Sequence, residues 1–180
     1  MSNLERNILN NPETMAMVLG QSERDVVLAL KIEADSSRVL YALSIPEYIE
    51  AWLQTPDADG LQSVFNLVTQ ESFRIDLYRA QALQASVYGS CCVMNTNQVR
   101  YNWKRMSPSG SSETLVDIEL FCGPGACILG LRHSGFKDMA ESTWCDNMWQ
   151  LSLESLCRLM EKRQTWGATL TSFNRKTTHA

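Results

Sequence analysis

Few side chains in this chain of 180 residues could do chemistry, and most of them also have a plainer reading. There are 2 histidines, His133 and His179. His133 ends the apolar run ACILGLRH and shares strand parity with Leu129 and Leu131, so it is expected to point inward with them. A single buried imidazole can act as an acid–base group. Nothing near it in sequence completes a triad, which favours a hydrogen-bonded structural role at the turn from strand to helix. His179 lies in the polar C-terminal tail, and a His-rich metal site is excluded. Asp117 and Glu119 lie two apart, the spacing of a carboxylate pair on one face of a strand. They alternate with Val116, Ile118 and Leu120, so they should face solvent. Gly123-Pro124-Gly125 joins two strands and opens no helix, so it lacks the geometry of a phosphate loop. The six cysteines, at 91, 92, 122, 127, 145 and 157, form no Cys-x-x-Cys pair. They read as small, mostly buried thiols of a reducing cytosol, with Cys91 and Cys92 on opposite faces of one strand. No cofactor and no metal are expected.

The elements that must position these residues follow from periodicity. Hydrophobic content is 44% and charged content 20%, ordinary values for a globular chain. The net charge of −4 argues against nucleic acid or an acidic membrane surface as partner. No basic start with an apolar run marks a signal peptide, no apolar stretch is long enough to span a membrane, and a cytoplasmic location is expected. Residues 1–21 read as an N-terminal extension, 22–164 as one domain and 165–180 as a flexible tail. Val26–Ile32 (VVLALKI) reads as a buried strand. Asp35 or Ser36 can cap a short helix carrying Val39, Leu40 and Leu43. Ile45 should end it and Pro46 begin a second, with Tyr48, Ile49, Trp52 and Leu53 on one face. Ser44 and Glu47 have capping-box spacing. Residues 55–60 (TPDADG) are turn chemistry. Five strands are expected near 73–78, 84–94, 99–104, 113–122 and 126–133, with a flexible loop at 107–112. Short turns between them imply antiparallel neighbours. A long helix over 138–164 places Cys145, Trp149, Ser152, Leu153, Leu156 and Met160 on one face. The fold class expected is α+β: a curved antiparallel sheet wrapped around a long C-terminal helix, with two short helices after the first strand.

Several segments resemble one family. Ile32, Ala34, Ala42-Leu43, Pro46 and Trp52 follow the opening of the activator-of-heat-shock-protein-90-ATPase homologues, within the SRPBCC or START-like, helix-grip superfamily. SVYGSCCVM with central Gly89, VRYNWK ending near Trp103, LRHSGF at 131–136, and the spacing of Trp149, Leu153 and Leu156 are similar to later family motifs. The resemblance covers about residues 24–162. Two departures stand out: Gln70-Glu71-Ser72 replaces the usual Gly-Gly, and Met148 replaces a glycine before the helix tryptophan. The added bulk implies a smaller or differently shaped pocket.

The resemblance implies a helix-grip fold with a cavity between sheet and C-terminal helix. Alternation nominates Trp52, Phe73, Ile75, Tyr101, Ile118, Leu129, His133, Trp149, Ser152 and Leu156 as ligand-binding residues. Trp52, Trp103, Trp144 and Trp149 are spaced as core anchors, with one or two at a pocket mouth. Apolar alternation fits an open cavity and a filled core equally. The favoured function is binding of a small hydrophobic or amphipathic ligand. Two alternatives stand beside it: a stress-response co-chaperone, as the family name implies, or a cyclase- or hydrolase-like enzyme. The enzyme would need converging polar groups, and only His133, Ser152 and Tyr101 qualify, so a non-enzymatic role is preferred.

Overall fold

The computed structural model describes residues 24–56, 60–66, 72–107 and 110–174. The expected extension over 1–21, the end of the tail and part of the turn at 55–60 lie outside these residues. Strand β1 (Val26–Ile32) leads into helices α1 (Ser36–Ser44) and α2 (Pro46–Trp52). Strands β2 (Gly60–Asn66), β3 (Ser72–Arg79), β4 (Ala82–Met94), β5 (Gln98–Ser107), β6 (Gly110–Gly123) and β7 (Ala126–Ser134) follow, and helix α3 (Met139–Asn174) closes the order. The strands form one sheet in the order β1-β7-β6-β5-β4-β3-β2, antiparallel throughout. This is the expected α+β architecture: a sheet gripping a long helix.

The junction after β1 follows local sterics. Ile45 is extended, with φ −99° and ψ 128°, and serves as the C-cap of α1 and the N-cap of α2. A residue before proline is pushed out of the helical region, and Pro46 then opens α2 where its missing N–H costs little. Asp35 is the N-cap of α1, but its side chain makes no capping bond. The capping-box spacing of Ser44 and Glu47 is not used, since the Ser44 hydroxyl donates to Tyr41 O at 3.3 Å.

The sheet departs from the sequence reading in four places. Strand β2 was not expected, because GLQSVFN mixes polar and apolar types on both parities and shows no clean period of two. Strands β5 and β6 run on to pair Arg105, Met106 and Ser107 with Ser112, Ser111 and Gly110. Of the loop expected over 107–112, Ser107 and residues 110–112 are strand instead, because the polar end of a ladder needs no apolar pattern; residues 108–109 lie outside the described residues. The β3–β4 hairpin turns at Ala80 (φ 48°) and Gln81 (φ 64°), which carry none of the usual Gly or Asn signal. Strand β1, read as buried, pairs among the described residues with β7 alone and stands at the edge of the sheet they form; Val27 to Leu30 are half-buried and Lys31 is exposed. Helix α3 also runs to Asn174, beyond the expected end at residue 164.

The core lies on the concave face. Phe73, Ile75 and Leu77, then Val116, Ile118 and Leu120, then Cys127, Leu129 and Leu131 are all buried there. Opposite them α3 buries Cys145, Met148, Trp149, Ser152, Leu153, Leu156 and Met160, the face its periodicity predicts. Helix α2 packs against both β2 and α3, so it closes the grip between one sheet edge and the helix. Among the described residues no helix is long and apolar enough to cross a membrane.

The thiol reading needs correction at one pair. Cys122 and Cys127 are joined as a disulfide across the β6–β7 hairpin, where they are register partners. Their pairing depends on strand register, which spacing in sequence does not reveal. Cys91, Cys92, Cys145 and Cys157 are free, with Cys91 buried and Cys92 exposed as their strand parity requires. Thiol titration of the denatured, unreduced chain should therefore return four thiols, rising to six after reduction. Six thiols before reduction would rule out the hairpin bridge.

Candidate functional site

The gap between the concave face and α3 is walled by apolar and aromatic side chains. Trp52, Phe73, Ile75, Tyr101, Ile118 and Trp149, six of the ten residues nominated from sequence, line it. Leu43, Ile49, Leu53 and Trp103 complete the wall. Of these four, Leu43, Ile49 and Leu53 come from the α1–α2 segment, whose approach to the cavity no strand pattern encodes. Leu129, His133, Ser152 and Leu156 are fully buried but stand away from this gap. The cavity holds about 30 Å³. One water needs roughly 10–15 Å³ by the same measure, and drug-sized sites run to about 300–1,000 Å³. The core is thus nearly filled. Met148 is buried but does not line the gap, so the rings themselves take up the space.

Those rings interlock. Phe73 meets Tyr101 edge-on, with centroids 5.5 Å apart, and lies 5.8 Å from Trp103. Trp103 lies 5.6 Å from Trp149. The Phe73 ring rests on Gly89, its register partner on β4, and Gly89 in turn faces Trp103 on β5. A Cβ at position 89 would meet Asn102 O at 2.0 Å and the Phe73 ring at 2.5 Å. Only a glycine lets the ring settle there.

Polar atoms in and around the cavity are mostly tied to one another. Trp52 Nε1 donates to Ala42 O at 2.8 Å, and the Tyr101 hydroxyl to Leu43 O at 3.1 Å. Burial holds the Tyr101 phenol protonated, well above its ordinary range. Ser152 makes a reciprocal pair with Gln54: the Gln54 N–H donates to Ser152 Oγ at 2.9 Å, and that hydroxyl donates to Gln54 O at 3.0 Å. Its role is to fasten the end of α2 to α3.

His133 sits at a structural junction. Trp149 Nε1 donates to its Nδ1 at 3.0 Å, so the ring proton belongs on Nε2. Nε2 then donates to Thr114 Oγ1 at 2.7 Å, and Thr114 donates to Trp103 O at 3.1 Å. Burial pushes the imidazole down to about 3, against a weak opposing pull from Asp25. Protonating Nδ1 would also set two donors face to face. His133 therefore stays neutral near pH 7 and is positioned to join α3, β7, β6 and β5.

The carboxylate pair is also accounted for. Asp117 lies on the outer face as expected, but it is only part-exposed and pairs with Arg100. Its register partner on β7, Arg132, pairs with Asp25 at 2.7 Å. These groups form a cross-strand charge ladder on the outer face, where Glu119 is also half-buried. Among the described residues no three His, Cys, Asp or Glu side chains are grouped to hold a metal ion. A larger surface groove of about 660 Å³ over Tyr88, Asn102 and Ser134 has a mixed polar and apolar lining, and its Lys104–Glu113 ion pair is satisfied at 2.7 Å.

Two outcomes follow. As pH falls from 6.5 to 5 the unfolded imidazole takes up its proton while buried His133 does not. Urea melts should then show this one group lowering stability by about 2 kcal/mol, a slope that His133→Gln removes. An equal slope in the variant would refute the assignment. Gly89→Ala should destabilise the fold by about 1–3 kcal/mol or more, because the new Cβ must displace the β5 backbone at Asn102 O as well as the Phe73 ring, read as a lower thermal midpoint.

No protein-family model matches this chain, and no curated protein matches it. Solved structures do. A protein from Chromobacterium violaceum is 17% identical with a TM-score of 0.67, covering 78% of this chain and 99% of its own. The AHSA1 protein from Silicibacter pomeroyi is 16% identical with a TM-score of 0.64, covering 77% and 99%. A START superfamily protein from Mycobacterium smegmatis is 10% identical with a TM-score of 0.55, covering 77% and 97%. At these identities the likeness speaks for architecture alone, and together with the seven-stranded grip around α3 it establishes that this chain has the AHSA1-like, START-like helix-grip fold.

Proposed function

We propose that this chain binds a small apolar molecule between the sheet and α3, with α2 as the wall that yields. The observation that carries this reading is the apolar and aromatic lining of a small void bounded by α1, α2, three strands and α3. Its small size fits a resting state. A residual void costs about 24 cal/mol per Å³, so 30 Å³ costs about 0.7 kcal/mol. An empty apolar site of about 300 Å³ would cost roughly 7 kcal/mol on the same scale, a large share of the 5–15 kcal/mol that holds a domain together. An apolar site without its ligand should therefore collapse, and a ligand should reopen it. Helix α2 suits that movement. It has seven residues and no side-chain cap, so little of its own structure resists a shift.

The lining offers little to an enzyme. Tyr101 is its one titratable side chain and is held protonated, and His133 lies outside the gap. A chaperone-linked role draws on the AHSA1 name of one structural neighbour and on no feature of this chain. A cytoplasmic setting belongs to the same reading and rests on sequence alone.

Native mass spectrometry of the full chain, purified gently from its own cells, tests the proposal. A retained adduct of a few hundred daltons, lost on organic extraction, is the expected result. A clean apo mass under those conditions would overturn it.

A further inference from the structure

The hydrogen-bond inventory of the lining says more about what the cavity takes, and it rests on the binding reading above. Four lining side chains carry a polar hydrogen: Trp52, Tyr101, Trp103 and Trp149. Three of them spend it inside the protein, on Ala42 O, Leu43 O and His133 Nδ1. The fourth does not. Trp103 is only 5% exposed, its Nε1 is sealed from solvent, and among the described residues it meets no acceptor. A buried donor left unmade is unfavourable, and native structures keep few of them. Trp103 also stands on the shared inner parity of β5, between Phe73 and Trp149. A resident water would suit the spot poorly, since it needs two to four polar partners and the lining side chains have one unspent donor to offer.

We propose that Trp103 Nε1–H is the polar anchor of the site, and that the ligand is a neutral, mainly apolar molecule presenting one hydrogen-bond acceptor, a carbonyl or ether oxygen. A carboxylate fits badly. No Lys or Arg is among the lining residues, and burying an unpaired charge is strongly unfavourable. An amine or ammonium group fits no better, because it would set a donor against a donor.

The test uses the full chain, ¹⁵N-labelled at its 5 tryptophans, with the Trp103 indole signal identified from the Trp103→Phe variant. Three probes of one size are titrated: acetophenone, ethylbenzene and benzoate. Acetophenone should move the Trp103 Nε1–H signal downfield and bind about tenfold more tightly than ethylbenzene, and benzoate should not bind. Trp103→Phe should remove the preference for acetophenone, so that the two neutral probes bind alike. Equal binding of the two neutral probes, with no downfield shift at Trp103, would overturn the anchor and leave the apolar site standing. Binding of benzoate as tight as that of acetophenone would overturn the neutral-ligand assignment. If no probe perturbs the Trp103 and Trp149 indole signals up to its solubility limit, the binding reading falls with the anchor. The comparison of probes on the unaltered chain keeps the test valid if the variant fails to fold.

Discussion

Helix α3 is held to the sheet by a buried chain of polar contacts as well as by apolar burial. Trp149 on the helix donates to His133 on β7, His133 donates to Thr114 on β6, and Thr114 donates to the Trp103 carbonyl on β5. Each donor and acceptor in that chain is directional, so it sets the rotation of α3 and the spacing of three strands together. Apolar packing alone is tolerant of small slides and rotations, because it is non-directional. A neutral imidazole can both accept and donate in line, which a hydroxyl or amide does less rigidly here. The low internal dielectric strengthens such a chain and penalises any break in it.

The rest of the grip depends on that alignment. With Trp149 and Trp103 set, Phe73 closes the ring cluster by lying on Gly89, and Tyr101 meets it edge-on. On the far side the Ser152–Gln54 pair draws the end of α2 down onto α3. The three tryptophans that line the cavity thus differ in kind. The indole N–H groups of Trp52 and Trp149 are bonded into the frame, and among the described residues that of Trp103 meets no acceptor.

Much of this was legible in the chain. Proline chemistry at Ile45-Pro46 placed the break between α1 and α2, alternation placed the inner residues of β3, β6 and β7, and helical spacing placed the buried face of α3. Those signals are local, and tertiary packing did not override them. Strand β2 and the ends of β5 and β6 were not legible, because their ladders are polar or mixed and hold by backbone pairing. Nor was the edge position of β1, since an apolar run reads alike whether one neighbour or two will pair with it. At the site, strand and helix parity nominated six of the lining residues but could not separate them from Leu129, His133, Ser152 and Leu156, which share the same inward parity farther along the sheet and helix.

By itself the sequence determined most of the elements, their order and the inward faces of β3, β6, β7 and the helices, because steric rules at proline and the periods of helix and strand act over a few residues. Only the tertiary structure decided that Cys122 meets Cys127, that His133 is spent on Trp149 and Thr114, that the cavity holds about 30 Å³, and that among the described residues Trp103 Nε1 meets no acceptor. Those outcomes depend on register and on how residues far apart in the chain share one small volume. No local pattern carries that information.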